Sequence, residues 1–166
     1  MKKTVYLVIS IILFIFASSC AGYKPIYTAE FDFEIADYSI INDKKIGKKI
    51  YSKLYNLSKR NSKNDKNVQG YKITIKIDTV KDKVAMSKDT AGKVLEYKIT
   101  LTSDIQIEDY FSGDEILNQS FSDSSVYPVQ AEYSETIKIE NRNVENIVDK
   151  IFQKLLIKMS DNLISK

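Results

Sequence analysis

The segment LEYKITLTSDIQIE, from Leu95 to Glu108, alternates apolar and polar residues and decides the fold of this chain. Side chains along a β-strand point alternately to the two faces of a sheet, so this period of two predicts a half-buried strand. Its length of about 14 residues is far above the usual five or six. The sequence therefore predicts either one long strand or a strand bent near Ser103. The apolar face carries Leu95, Tyr97, Ile99, Leu101, Ile105 and Ile107.

Two neighbouring segments predict further strands that pair with this one. Residues 71–78 alternate in the same way, and residues 115–122 predict a short last strand after the Ser-Gly-Asp turn at 112–114. The polar residues 81–93 predict a turn region. Strands joined by such short connections form an antiparallel meander. The predicted core face of this meander consists of Leu95, Tyr97, Ile99 and Leu101 with Ile73, Ile75 and Ile77.

A strand and a helix are predicted ahead of the meander. Residues 30–41 alternate locally, which favours a strand. Asn42 and Asp43 can cap a helix, because a short side-chain oxygen accepts a free N–H group of the first turn. An apolar stripe at spacings of three and four then predicts an amphipathic helix over residues 43–60, whose lysines form its solvated face. The stripe consists of Ile46, Ile50, Leu54 and Leu57.

A second amphipathic helix is predicted at the C-terminus. Its stripe extends backwards to Ile137 and Tyr133, which predicts a start near Ala131; a later start with Asn143 as cap is the competing boundary. The order β-α-β-β-β-α predicts an α+β fold, a two-layer sandwich in which two helices cover a four-stranded, mostly antiparallel sheet. The stripe of this helix consists of Val144, Ile147, Val148, Ile151, Leu155 and Met159.

The N-terminus predicts export. Lys2 and Lys3 precede an apolar run that is too short for the roughly 20 residues of a membrane-spanning helix, so residues 1–19 predict a signal peptide rather than an uncleaved anchor. The small residues Ala17-Ser18-Ser19 lead directly into Cys20, the only cysteine. This arrangement resembles the bacterial lipobox, which implies lipids on Cys20. Residues 20–29 then predict a lipidated tether, and residues 30–166 a single α+β domain.

Composition argues against nucleic-acid binding and against catalysis. Of the 25 basic residues, Lys2 and Lys3 leave with the signal peptide, so 23 remain against 22 acidic ones. Binding to nucleic acid needs a concentrated basic surface instead. The chain has no histidine, and it has neither a nucleophile motif nor a glycine-rich phosphate loop. We therefore predict no enzyme, no cofactor and no metal site, and we interpret the acidic pairs at 108–109 and 114–115 as solvated carboxylates.

Three motifs, taken in order, resemble the lipopolysaccharide-assembly lipoprotein family, LptE, in its alphaproteobacterial form. The first is Cys20 followed, after one inserted residue, by the aromatic and proline pattern at 22–27, GYKPIY. The second is TAGK at 90–93, which leads into the alternating strand. The third is Tyr127 with AEYS at 131–134, which leads into the C-terminal helix. Together these motifs cover essentially the whole mature chain.

The resemblance implies a specific function. Members of this family plug a large outer-membrane β-barrel, LptD, help it to assemble, and bind lipopolysaccharide on its way to the cell surface. Asp after the lipid cysteine favours retention in the inner membrane, so Ala21 implies an outer-membrane, periplasm-facing lipoprotein. An auxiliary lipoprotein subunit of another lipid-transport complex, of the ABC type, is the alternative. A passive structural lipoprotein is the third interpretation.

A lipopolysaccharide contact is predicted at the turn between the second and third strands. Phosphorylated sugars with acyl chains call for ammonium groups beside apolar side chains, and the apolar Val84, Met86 and Val94 flank this turn. The resemblance to the LptE family implies a ligand contact at the same turn. A solvated turn is the ordinary alternative, because Asp82 and Asp89 offset part of the charge. The predicted binding residues are Lys81, Lys83, Lys88 and Lys93.

Overall fold

The computed structural model describes residues 33–61 and 71–164, which form one sheet with two helices packed on its inner face. The elements follow the predicted order. The predicted signal peptide, Cys20 and the tether lie outside the described residues. The elements are β1 Phe33–Asn42, α1 Lys44–Asn61, β2 Tyr71–Lys88, β3 Val94–Asp109, β4 Glu115–Pro128 and α2 Tyr133–Ile164.

The strands lie in the order β1-β2-β3-β4. β1 is parallel to β2, with α1 as the crossover between them, whereas β2–β3 and β3–β4 are antiparallel. The prediction of an α+β fold with a mostly antiparallel four-stranded sheet is therefore confirmed. β1 pairs only with residues 71–79 of β2. Beyond Thr79, β3 is the only strand among the described residues that pairs with β2.

The alternating segment forms one unbroken strand, β3, so the alternative of a bend near Ser103 is wrong. Ser103 is fully buried and keeps its place on the inner face, because its Oγ lies 3.1 Å from Oγ1 of Thr79 on β2. A hydroxyl that is hydrogen-bonded avoids most of the cost of burial. This pair therefore preserves the alternation where an apolar residue is missing.

Two strands are longer than the sequence predicted. β2 continues through most of the predicted turn region to Lys88, and β4 continues past Ser122 to Pro128. Both extensions pair with the first half of β3. The prediction was wrong because the inner-face positions of the β2 extension carry Lys81 and Lys83, so apolar alternation stops there although main-chain hydrogen bonding continues.

The connection between β2 and β3 is a tight turn at residues 89–93. Gly92 adopts a φ of +82°, in the left-handed region that favours glycine. The Asp89 carboxylate accepts hydrogen bonds from the backbone N–H groups of Ala91 and Lys93, each at 2.9 Å. We call this end of the sheet the far end. The near end is the opposite one, where β1 begins and the β3–β4 turn lies.

Helix α1 begins as predicted. Oδ1 of Asp43 accepts hydrogen bonds from the backbone N–H groups of Lys45, at 3.1 Å, and Ile46, at 3.0 Å. A cap of this kind stabilises a helix by about 1 kcal/mol. Gly47 then lets the helix approach β1 closely, because a Cβ atom at this position would lie only 2.5 Å from Cγ2 of Ile40.

Helix α2 begins at Tyr133, which confirms the start near residue 131 and not the later one at Asn143. The backward extension of its stripe was nevertheless wrong, because Tyr133 is 79% exposed and Ile137 is only partly buried. Thr136 and Glu140 are buried in their place. In the described part of the chain, neither helix combines the length and the apolar character needed to cross a membrane.

The core lies between the inner face of the sheet and the two helices. The predicted core face is confirmed except at Leu95, which is 45% exposed because it lies at the end of β3 next to the far-end turn. Tyr97 is partly buried and packs against the core. The buried apolar residues are Ile46, Ile50 and Leu54 of α1, Val144, Ile147, Val148, Ile151, Leu155, Leu156 and Met159 of α2, and Phe33, Ile73, Ile75, Ile77, Ile99, Leu101, Ile105, Ile107, Ile116, Leu117, Phe121 and Tyr127 of the sheet.

Candidate functional site

A charged cluster links β2, β4 and α2 in the far half of the sandwich. Its centre is Glu140 of α2, whose side chain is only 11% exposed. Three groups donate hydrogen bonds to its carboxylate: Lys83 Nζ at 2.6 Å, the Tyr127 hydroxyl at 2.9 Å and Lys81 Nζ at 3.1 Å. Strand alternation positions the donors, since residues 81, 83 and 127 all lie on the inner face of the sheet. We call these four residues the Glu140 cluster.

Glu140 and Lys83 are ionised at neutral pH. Burial by itself raises the pKa of Glu140, but the hydrogen bonds from Lys83, Tyr127 and Lys81 outweigh it and hold that pKa at about 2. Burial also disfavours the charged form of Lys83 and by itself lowers its pKa. Hydrogen bonds with Glu140 and Tyr127 outweigh this effect, so the pKa of Lys83 lies above the ordinary lysine value. Burial raises the pKa of Tyr127, which therefore remains a neutral donor.

Two aromatic rings enclose the ammonium group of Lys83. Its Nζ lies 4.3 Å from the ring centroid of Tyr97 and 5.7 Å from that of Tyr127. The two rings lie 6.0 Å apart. Because an ammonium group is attracted to the face of an aromatic ring, these contacts add to the ion pair with Glu140. Lys83 is thus held by three neighbours from three different elements.

The Glu140 cluster carries one excess positive charge, because two lysines share one carboxylate. The side chains of Lys81 and Lys83 remain about one-third exposed, so this charge is open to solvent on one side. The chemistry of the cluster is therefore electrostatic, with an exposed cationic side and a buried anionic side.

The structure divides the four predicted lysines into two pairs. Lys81 and Lys83 lie on β2 and bind Glu140, whereas Lys88 ends β2 and Lys93 follows in the far-end turn, both of them exposed. The prediction that all four lie in one turn was wrong. The reason is that β2 continues to Lys88 and directs alternate residues to opposite faces.

Sequence reasoning missed Glu140, the centre of the cluster. A signal for it was present in the spacing of α2, because Glu140 and Thr136 lie four and eight residues before Val144, the first apolar residue of the stripe. A carboxylate at such a position is buried with the stripe and needs a cationic partner. Tyr127 belongs to the third sequence motif, but the motif does not identify the carboxylate to which its hydroxyl donates.

One residue of each acidic pair beside the β3–β4 turn, Asp109 and Asp114, binds within the turn itself. Oδ1 of Asp109 accepts hydrogen bonds from the backbone N–H groups of Phe111, at 2.9 Å, and Ser112, at 2.8 Å. The carboxylate of Asp114 accepts one from the Ser112 hydroxyl at 2.9 Å. Over residues 33–61 and 71–164, no three acidic or other ligating side chains group together in a way that fits a metal ion.

Comparison with known proteins relates this chain to others through its fold. No protein-family model matches the chain, and no curated protein matches it either. Among solved structures, it is similar to lipoprotein B from Nitrosomonas europaea, with 16% identity, a TM-score of 0.57 and coverage of 81% of this chain and 88% of the other. It is also similar to a minor lipoprotein from Acinetobacter baumannii, with 17% identity, a TM-score of 0.55 and coverage of 80% and 94%. The described domain therefore has a fold that bacterial lipoproteins share.

Proposed function

We propose that this protein is an outer-membrane lipoprotein, anchored through lipids on Cys20 and facing the periplasm. One observation carries the proposal: a lipobox-like sequence and a fold shared with bacterial lipoproteins occur in the same chain. A lipobox cysteine carries two or more acyl chains, and more than one chain is needed for durable anchoring. The protein acts by binding and not by catalysis, without a cofactor.

Its proposed partner is a β-barrel of the LptD type, which it plugs and helps to assemble. The three ordered motifs support this partner through their resemblance to LptE. The surface of the described domain is compatible with it, because outward-facing positions of β3 carry Thr100, Thr102 and Gln106, and the interior of an outer-membrane barrel is polar. Delivery of lipopolysaccharide to the outer leaflet is the process in which this pair acts.

Copurification from a mild detergent extract tests the partner. The tagged full chain should extract as a stable complex with a large barrel that mass spectrometry identifies as LptD-like. Recovery of an inner-membrane ABC transporter would support the alternative of a different lipid-transport complex. Recovery of the chain alone, with the barrel present in the lysate, would support a passive lipoprotein. The matched control is Cys20→Ala, which should remain unprocessed and take up no palmitate label.

The proposed lipopolysaccharide contact lies at the far end, where Lys88 and Lys93 are exposed beyond the Glu140 cluster. Reversing both charges with Lys88→Glu and Lys93→Glu should weaken binding of lipopolysaccharide, and the loss should shrink at high salt because exposed charges are screened. Charge reversal of Lys48 and Lys49 on α1 is the control. Equal losses in the two double variants would mean that the attraction is diffuse and that the far-end turn is not the site.

A further inference from the structure

The near end of the sheet carries an exposed aromatic tip. Tyr110 and Phe111 form the first half of the β3–β4 turn and are 51% and 76% exposed, and Tyr71, the first residue of β2, is 46% exposed. The backbone N–H group of Tyr110 donates to the carbonyl oxygen of Lys72 at 2.8 Å, which fixes the turn beside the start of β2. We call Tyr71, Tyr110 and Phe111 the aromatic tip.

The geometry of the turn holds these rings outwards. Oδ1 of Asp109 binds the backbone N–H groups of Phe111 and Ser112, and Gly113 adopts a φ of +74°, which favours glycine. The rings of Tyr110 and Phe111 meet edge to face with centroids 5.4 Å apart. The turn is therefore a built feature that presents two aromatic rings to the surroundings.

The tip has the chemistry of a membrane-interface contact. Nζ of Lys72 lies 5.8 Å from the ring centroid of Phe111 and 3.7 Å from Oε2 of the exposed Glu34. A cationic group therefore sits beside the apolar rings, and its exposed ion pair can be exchanged for a contact with a lipid phosphate. Aromatic side chains concentrate at the boundary between lipid headgroups and acyl chains, and a lysine beside them can bind lipid phosphates. Three side chains are too few for a stable protein–protein interface, which buries about 800 Å² on each partner.

The tip lies at the end of the domain where the anchored segment enters. β1 begins at Phe33, which pairs with Tyr71 of the tip. Twelve residues separate Cys20 from Phe33, and a chain of that length reaches at most about 45 Å. The 18 residues of β2 span up to about 56 Å, so even a fully extended tether running along the sheet falls short of the far end. A lipid anchor at Cys20 therefore holds the near end within about 45 Å of the bilayer, and the domain cannot stand upright with its far end on the membrane.

We propose that the aromatic tip inserts into the headgroup region of the bilayer that holds the lipid anchor. This inference rests on the proposed lipidation of Cys20, and it adds a second point of membrane contact. With two contacts the lipoprotein is oriented on the membrane before it enters a barrel, and its far end, with the Glu140 cluster and the exposed lysines, then points away from the surface.

Tryptophan fluorescence tests the proposal, because the chain contains no tryptophan of its own. The reporter is Phe111→Trp, and the matched control is Tyr133→Trp at the start of α2 towards the far end, where the native ring is similarly exposed at 79%. Tyr110→Trp gives a second reporter at the tip if the first variant folds poorly by circular dichroism. Each full-length lipoprotein is purified from membranes and reconstituted into vesicles of phosphatidylethanolamine and phosphatidylglycerol, with or without brominated phosphatidylcholine.

The tip reporter should shift to shorter wavelength and lose about half of its emission to the brominated lipid, because interfacial rings lie beside the acyl chains. The Tyr133→Trp control should keep its emission. Equal quenching of both reporters would contradict the proposed insertion of the tip. Quenching of neither reporter, in protein that floats with the vesicles, would also contradict it, and the proposed lipid anchor at Cys20 would stand in both cases. Protein that does not float would refute the anchor at Cys20, and the proposed insertion would fall with it.

Discussion

The substitution Glu140→Gln removes the charge at the centre of the Glu140 cluster and keeps the size of the side chain. The two lysines would then share no carboxylate, and an amide NH₂ group would face one of the ammonium groups. Removal of one partner from a buried ion pair is costly because the remaining charge stays desolvated. We therefore expect the variant to fold with a clearly lower free energy of unfolding.

The pKa of Glu140 gives the magnitude. Its fall from 4.5 to about 2 corresponds to about 3 kcal/mol of preference for the ionised form in the folded state. The side chain keeps some exposure, and glutamine retains one acceptor for the Tyr127 hydroxyl. We therefore expect Glu140→Gln to lower the free energy of unfolding by about 2–3 kcal/mol at pH 7.

The pH dependence has a definite sign. A carboxyl group whose pKa is lowered by folding stabilises the protein above its unfolded pKa, and this contribution is lost as the pH falls towards the folded pKa. From pKa values of 4.5 and about 2, less than half of this contribution to the free energy of unfolding remains at pH 3. The difference between wild type and variant should therefore be constant above pH 5 and narrow by about 1–2 kcal/mol by pH 3.

Urea unfolding of the mature chain at pH 7, 5 and 3, followed by circular dichroism, measures these differences. Glu135→Gln on the same helix is the control, because Glu135 is half exposed and pairs with Lys138 one turn away at 2.6 Å. Its loss should be at most about 0.5 kcal/mol. Equal losses for the two variants at pH 7, or an undiminished Glu140→Gln deficit at pH 3, would refute the role assigned to Glu140.

Two further substitutions test the packing of the sandwich by urea unfolding. Ile99→Ala should lower the free energy of unfolding by about 2–5 kcal/mol, because Ile99 is fully buried on the inner face. Thr100→Ala, on the other face of the sheet, should lower it by less than half of that. Similar losses at both positions would contradict the assigned facing of β3. Gly47→Ala should lower it by about 1–2 kcal/mol although alanine favours helices, since the added methyl group would lie 2.5 Å from Cγ2 of Ile40. A more stable Gly47→Ala variant would show that α1 is free to move away from β1.

The sequence predicted the parts of the fold that local patterns determine. The alternation from Leu95 to Glu108 gave β3, since a period of two has no other regular interpretation over that length. The far half of β2 has no such local signal. Its inner-face Lys83 is matched by Glu140, 57 residues further along the chain. A pattern read within a window of about 11–18 residues does not reach a partner at that distance.

The site was predicted less well than the fold for the same reason. The basic residues Lys81 and Lys83 were identified by composition, but their role depends on a carboxylate and an aromatic hydroxyl supplied by other elements. Only Lys88 and Lys93 lie at the turn that the sequence suggested, since Lys81 and Lys83 lie within β2 and bind Glu140. The aromatic tip was overlooked because Tyr71 is far in sequence from Tyr110 and Phe111, and only the pairing of β2 with β3 brings them to the same end of the sheet.

Among residues 33–61 and 71–164, no strand pairs with the outer edge of β2 beyond Thr79, and this edge bears on the solubility of the described domain. A strand edge without a neighbour offers its N–H and C=O groups to any extended chain, which invites aggregation. Natural sheets resist this by pointing charged side chains inwards from edge strands, since a second strand would then have to bury them. Lys81 and Lys83 point inwards from this edge and so protect it. Apolar residues at both positions would remove the protection and would favour self-association of the sheets through this edge.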